Sequence, residues 1–201
     1  MASQVSHIVY GKKIFDECKN KNLSWPKFLV GTIFPDIRYL AKIDRDSTHG
    51  FNTSKEKIPN NSFEAGMYIH WYVDEKREKI LKKKGIYNLE LARSRLYSTA
   101  LKLVEDQVLY DKYHHWEETV KALDTYYEEE YKYVPDKKIV KEWHNLNQKL
   151  FRAKPTDETV RWMILRMGFD EDVSAEVLEQ MELVRNNRKI ITVLSETYKE
   201  V

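Results

Sequence analysis

Apolar residues recur at helical spacing along almost the whole chain, and hardly anywhere in the strict alternation of a half-buried strand. Val5, Ile8, Val9 and Phe15 mark a first amphipathic helix over residues 5–19. Ser24 reads as the N-cap of a second, with Pro26 in its first turn and an apolar run Phe28, Leu29, Val30, Ile33 and Phe34. Gly31 and Pro35 predict a break at its end. From Ser62, read as a cap, a long helix runs from Phe63 to Lys84 and stops at Gly85. The pattern then predicts helices over about 88–113, 116–131, 137–152, 156–167 and, from Ser174, 173–199, with Pro135 and Pro155 as punctuation. Between them, residues 41–61 lack periodicity and collect Ser, Thr, Asn and Asp. So long a loop in a compact domain is usually functional or disordered. The expectation is one all-α domain over 1–201, of about seven to eight helices around a buried site, with no repeat and no Gly/Ser linker.

Composition agrees with that picture. Gly (6) and Pro (5) are scarce among the 201 residues, well under the average combined usage of roughly 12%. Turn-rich sandwiches, propellers and Gly-rich nucleotide folds are therefore disfavoured. Lys and Arg (34) nearly balance Asp and Glu (32), so no nucleic-acid partner is expected. The basic run Lys79 to Lys84 lies at a helix tail, where it suits the dipole and is solvated. The single cysteine, Cys18, forms no disulfide within the chain and no CxxC motif. No apolar run reaches 18 residues, so no transmembrane segment is expected. With no recognisable leader, a cytoplasmic, reduced setting follows as an expectation.

The six histidines change the reading most. At about 100° per residue, Phe63, Gly66, Met67, His70, Val73, Asp74 and Arg77 form one stripe of the long helix, with Glu75, Lys76, Glu78 and Lys79 mostly turned away. His70 and Asp74, at i and i+4, project to the same side. A carboxylate turned toward a core is costly unless it is paired or binds a metal. The plain alternative is a buried His–Asp hydrogen bond. Asp36 follows an apolar run and is otherwise a turn former, His49 is otherwise a surface residue, and His7 is otherwise a satisfied core residue of the first helix. Together, two histidines and two carboxylates from separate segments can make one mixed nitrogen–oxygen site, and His7 allows a second ion with Asp36 or Asp74 bridging. Imidazole and carboxylate suit zinc, manganese, iron or nickel. His114, His115 and His144 are weaker ligand candidates. The tyrosines and tryptophan between 110 and 133 read as packing beside a solvated acidic face.

The order Ser6-His7-Ile8-Val9, then Gly31-Thr32-Ile33-Phe34-Pro35-Asp36-Ile37, then Thr48-His49, then FEAGMYIHWYVD over 63–74, resembles the zinc-dependent phospholipase C and P1-nuclease superfamily. The likeness covers roughly residues 5–78. It implies an all-helical phosphoesterase whose metal, zinc first, is held as one or two ions by His7, Asp36, His49, His70 and Asp74. The secreted phospholipases place an N-terminal Trp on the metal, and Met1 does not match it. They also carry further ligands soon after HxxxD, whereas no His follows Asp74 until His114, so a trinuclear centre is not expected. The adjacent His-Asp pair of the HD phosphohydrolases is absent.

The functional expectation is a metal-dependent hydrolase of a phosphoester, its substrate a small molecule or a lipid headgroup, in which Asp36, His49, His70 and Asp74 act through an activated water. Arg38, Lys42 or Arg45 could hold an anionic substrate, and the 41–61 loop could act as a lid. The alternative is a non-catalytic helical protein stapled by a structural metal. The sequence leaves the oligomeric state open and offers no candidate chemistry beyond about residue 86.

Overall fold

The computed structural model describes residues 4–18, 22–50 and 57–201, and among these every regular element is helical. In chain order the α-helices are α1 (Gln4–Glu17), α2 (Trp25–Ile33), α3 (Arg38–Ala41), α4 (Asp46–His49), α5 (Ser62–Lys83), α6 (Tyr97–Leu109), α7 (Trp116–Ala122), α8 (Glu128–Tyr133), α9 (Lys137–Phe151), α10 (Asp157–Arg166), α11 (Glu171–Arg185) and α12 (Arg188–Glu200). These are more than the seven or eight expected, because one-turn pieces such as α3 and α4 add to the count and two long expectations split. No helix among the described residues is long and apolar enough to cross a membrane.

The pair α2 and α5 forms the centre. Gly31 and Gly66 face one another across it. A Cβ added at Gly31 would lie 2.1 Å from the Phe63 carbonyl oxygen, and one at Gly66 would lie 2.1 Å from that of Phe28. Only backbone fits there. Gly31 is thus not a helix break but a packing position inside α2. The break falls where Pro35 removes an N–H, and the chain tightens into a 3-10 turn over Phe34–Ile37 that carries Asp36.

Helices α1 and α6 close over this pair. The first turn of α1 contains no acidic residue of its own. Asp106 of α6 supplies the missing charge, accepting from the Val5 N–H (3.3 Å), the Ser6 N–H (2.8 Å) and the Ser6 hydroxyl (2.6 Å). One continuous apolar cluster runs from Val5 and Phe28 through Phe63, Leu101 and Trp143 to Leu194.

Local chemistry explains where the structure departs from the sequence pattern. Asn61, not Ser62, caps α5, its side chain accepting from the N–H groups of Phe63 and Glu64. Ile86–Asn88 and Glu90–Arg93 form 3-10 turns instead of helix, and Ser94 accepts from the Leu96 N–H, so α6 begins only at Tyr97. The span expected as 116–131 divides into α7 and α8 because Glu130 turns back to accept from the Tyr127 N–H. The span 173–199 divides at Asn187, whose side chain accepts from the Ile190 N–H and starts α12. Asp170, not Ser174, caps α11. The 41–61 segment contains α4, and residues 51–56, where a lid was expected, lie outside the described residues.

Replacing Gly66 by Ala should cost about 3 kcal/mol of stability, since backbone on both sides must move. The exposed Leu183→Ala change should stay within about 0.5 kcal/mol. Denaturant unfolding of both variants checks this, and equal midpoints would show that the α2–α5 contact is not tight.

Candidate metal centre

Four elements deliver the polar groups. His7 comes from α1, Asp36 from the 3-10 turn after α2, His49 from the end of α4, and His70 and Asp74 from successive turns of α5. The structure brings all five together. His7, Asp36, His49 and His70 are buried, and the Asp74 side chain is 21% exposed. Two overlapping groups, His7–Asp36–His70 and His49–His70–Asp74, each place their donor atoms within 4.8 Å of one another, so they have the spacing to hold a metal ion.

Second contacts fix which nitrogen each imidazole offers. His70 Nδ1 donates to the Thr32 carbonyl at 2.8 Å, a bond that the close α2–α5 crossing makes reachable. The lone pair is therefore on Nε2. The Thr48 hydroxyl donates to the Pro35 carbonyl at 2.9 Å, so at 2.9 Å from His49 Nδ1 it accepts, and His49 also presents Nε2 as an acceptor. Such an N–H bond on the far nitrogen is the usual support of a metal-binding histidine. His7 stacks on His70, ring centroids 3.8 Å apart. Gln4, one turn before His7, donates from Nε2 to Asp36 Oδ2 at 3.1 Å.

The separations among the donors carry most weight. His7 Nε2 lies 3.5 Å from Asp74 Oδ1, and His70 Nε2 lies 3.8 Å from Asp36 Oδ2 and 3.9 Å from Asp74 Oδ2. The His70 separations are too long for hydrogen bonds. Two donors on one tetrahedral zinc lie roughly 3.4 Å apart, given metal–ligand distances near 2.1 Å. His70 Nε2, His7 Nδ1 and Gln4 Oε1 are buried without a hydrogen-bond partner. Their clustering beside two carboxylates suits a cation, and the mixed imidazole and carboxylate set suits a transition metal.

Burial drives the His70 pKa down to about 3 and that of His49 to about 4. Both rings are neutral at pH 7, as ligation requires. Burial pushes Asp36 up, and the coulombic pull of His70 and His7, which those rings exert only when they carry the proton, brings the carboxyl below its ordinary value. Asp74 is held well below its ordinary value, since Lys102 and then His7 overcome its burial. Two carboxylates beside the neutral rings of His49 and His70 favour a cation, with Lys102, 3.7 Å from Asp74 Oδ1, offsetting part of the negative charge.

The remaining sequence candidates fall elsewhere. His114 and His115 are exposed, and His115 lies 3.2 Å from Glu118. His144 is buried but fully paired, Nδ1 to the Leu123 carbonyl (2.8 Å) and Nε2 to Glu130 (2.6 Å). Arg38 lies 3.9 Å over the ring of Tyr39, and Lys42 is an exposed residue in a left-handed conformation (φ 53°). Arg45 lines a cavity outside Asp74. Sequence reasoning missed Gln4, Thr32, Thr48, Lys102 and Asp106. The one available signal was Lys102, Glu105 and Asp106 recurring at helical spacing between Leu101, Leu103, Val104 and Leu109.

The fold and site define an all-helical protein whose buried histidines and aspartates could hold a metal ion. No protein-family model, no curated protein and no solved structure matches this chain.

For metal-stripped protein, His70 and His49 bind protons when unfolded, near pH 6.5, but not when folded until about pH 3 and about pH 4. Stability should therefore be full above about pH 6.5 and fall as the pH drops toward 4, with Asp36 and Asp74 extending the loss below that. The double variant His49→Gln, His70→Gln should flatten the slope between pH 6.5 and 4. An unchanged slope in urea titrations across that range would contradict the neutral assignment.

Proposed function

We propose that this chain is a metal-dependent hydrolase of phosphoesters. The observation that carries the reading is the buried set of neutral imidazoles and ionised carboxylates. Its His70–Asp36 and His70–Asp74 separations are too long for hydrogen bonding and suited to sharing an ion. Asp36, His49, His70 and Asp74 are the proposed ligands of one divalent ion, zinc first and manganese, iron or nickel next. His7 stands beside them as a further ligand, and a second ion would require a bridging Asp36 or Asp74. The resemblance of residues 5–78 to the zinc-dependent phospholipase C and P1-nuclease superfamily supports the same chemistry.

Such an ion polarises a phosphoryl oxygen and lowers the pKa of water toward neutrality. The protein's own groups have separate tasks. Thr32 and the Thr48 hydroxyl orient His70 and His49, Gln4 orients Asp36, and the apolar neighbours exclude bulk water. The Asp74 side chain lines a cavity, so substrate and water would approach from its side. In the net reaction the water oxygen bonds to phosphorus and the ester P–O bond breaks. One water proton ends on the leaving alcohol and the other is released.

The structural alternative, a metal that only staples α1, α4 and α5 together, is an outcome of the same test. Full-length protein purified without a His tag should hold stoichiometric metal and melt at a higher temperature with it than after chelation. His70→Ala and His49→Ala should each lower zinc affinity at least tenfold. Wild type should turn over members of a phosphomonoester and phosphodiester panel with zinc, manganese or nickel. Stoichiometric metal without turnover would favour the staple, and no metal in wild type would reject both readings.

A further inference from the structure

We propose that the groove between α9 and α10 docks an acidic, amphipathic helical segment of a partner protein. The groove encloses about 430 Å³. Lys138, Lys141 and Lys149 of α9 and Arg166 of α10 line it, together with Leu146 and Trp162. None of the five candidate metal ligands belongs to this lining, so the proposal does not rest on the hydrolase reading.

The charge of the groove is one-sided. Against four cations the lining holds a single carboxylate, Glu142, and one neutral polar side chain, Asn145. All four cations are exposed. Among the described residues, no ion pair or hydrogen bond engages the side chains of Lys138, Lys141 or Arg166. Lys149 Nζ lies 3.8 Å from the centre of the Trp162 ring, a contact that leaves its positive charge in place. The uncompensated charge is therefore positive, and it surrounds a partly apolar surface.

The placement of the cations selects the occupant. Lys138, Lys141, Asn145 and Lys149 recur at three- and four-residue steps, so they form one ridge of α9, roughly 16 Å long at about 1.5 Å per residue. Charges spread along a ridge match a row of carboxylates better than one compact anion. An acidic helix repeats its side chains at the same steps and can lie in a groove between two others. Leu146, Trp162 and the apolar stems of the lysines give an apolar side chain of that helix a surface to pack on. A nucleic acid fits less well, because its bases need an open aromatic face and Lys149 takes a face of Trp162. An anionic bilayer would need protruding apolar side chains. Among the described residues, the large exposed ones, Ile58, Tyr126, Phe169 and Leu183, all lie outside this lining.

The test uses full-length protein and the fluorescence anisotropy of a labelled synthetic helix of about four turns, with glutamates at three- and four-residue steps and one phenylalanine among them. Wild type should bind this peptide, more weakly as salt rises, and should bind a copy with glutamine for every glutamate about tenfold less tightly. Lys141→Glu and Arg166→Glu should each weaken binding about fivefold, and Glu142→Gln should tighten it about twofold. Lys189→Glu, at an exposed position on α12 outside the groove, should leave it unchanged. These are exposed positions, and matching melting curves would show that the variants fold. Absence of binding by wild type overturns the proposal, as does equal binding of the glutamine peptide or an equal loss in Lys189→Glu. Tighter, Lys141-dependent binding of a single-stranded oligonucleotide or of phosphatidylserine vesicles also overturns it, in favour of that ligand. Metal content and ester turnover do not enter this test, so the hydrolase reading stands or falls apart from it.

Discussion

The approach of α2 to α5 at Gly31 and Gly66 is the constraint from which the rest of the structure follows. Two helices carrying side chains at the crossing pack 8–10 Å apart. Here each glycine lies against a carbonyl oxygen of the opposite helix, so the backbones come closer and their sliding and rotation are fixed. The consequence is local and chemical. Thr32, one residue after Gly31, presents its carbonyl to His70, one turn after Gly66. A side chain at either glycine would push that carbonyl away from Nδ1, and with it the bond that decides which nitrogen of His70 faces Asp36 and Asp74.

Helix α6 is the second support, although it contributes none of the five candidate ligands. Its three charged residues reach toward α1 and α5. Lys102 approaches Asp74, Glu105 accepts from Tyr10 and pairs with Arg77, and Asp106 holds the first turn of α1. Each is a charge at or near the core, and each is paired, as burial demands. Through Asp106 the C-terminal half of the chain fixes where α1 begins, and so where His7 and Gln4 lie. Function and packing are thus not divided between the two halves.

Much of the helical architecture was readable because amphipathic periodicity is a local signal. The stripe Phe63, Gly66, Met67, His70, Val73, Asp74, Arg77 lies along one side of α5, with Asp74 its least buried member. What periodicity could not supply were the interruptions. Ser94, Glu130 and Asn187 end or start helices through single side-chain-to-backbone bonds, and an apolar pattern continues through such points unaltered. In the site, residue types at their spacings pointed to His7, Asp36, His49, His70 and Asp74. Gln4, Thr48 and Lys102 were not legible, because a glutamine, a threonine and a lysine on amphipathic helices or in loops are ordinary until a tertiary partner is known. Gly31 was misread for the same reason: a glycine within an apolar run signals a break unless another backbone lies against it.

Two buried histidines show how packing separates a structural role from a chemical one. His144 and His70 are both fully buried, and each donates from Nδ1 to a carbonyl 2.8 Å away. At His144 the second nitrogen meets Glu130 at 2.6 Å, and the pair clasps α8 to α9 with nothing left over. At His70 the second nitrogen faces two aspartates yet bonds neither, and His7 stacked upon it also has an unpartnered nitrogen. An unmet buried polar group costs about 1–3 kcal/mol. Several around one point are a concentrated cost that small side-chain rotations toward Asp36 or Asp74 could relieve. The supports from Thr32, Thr48 and Gln4 instead hold the rings and Asp36 in place, which is the arrangement expected where the missing partner is a cation.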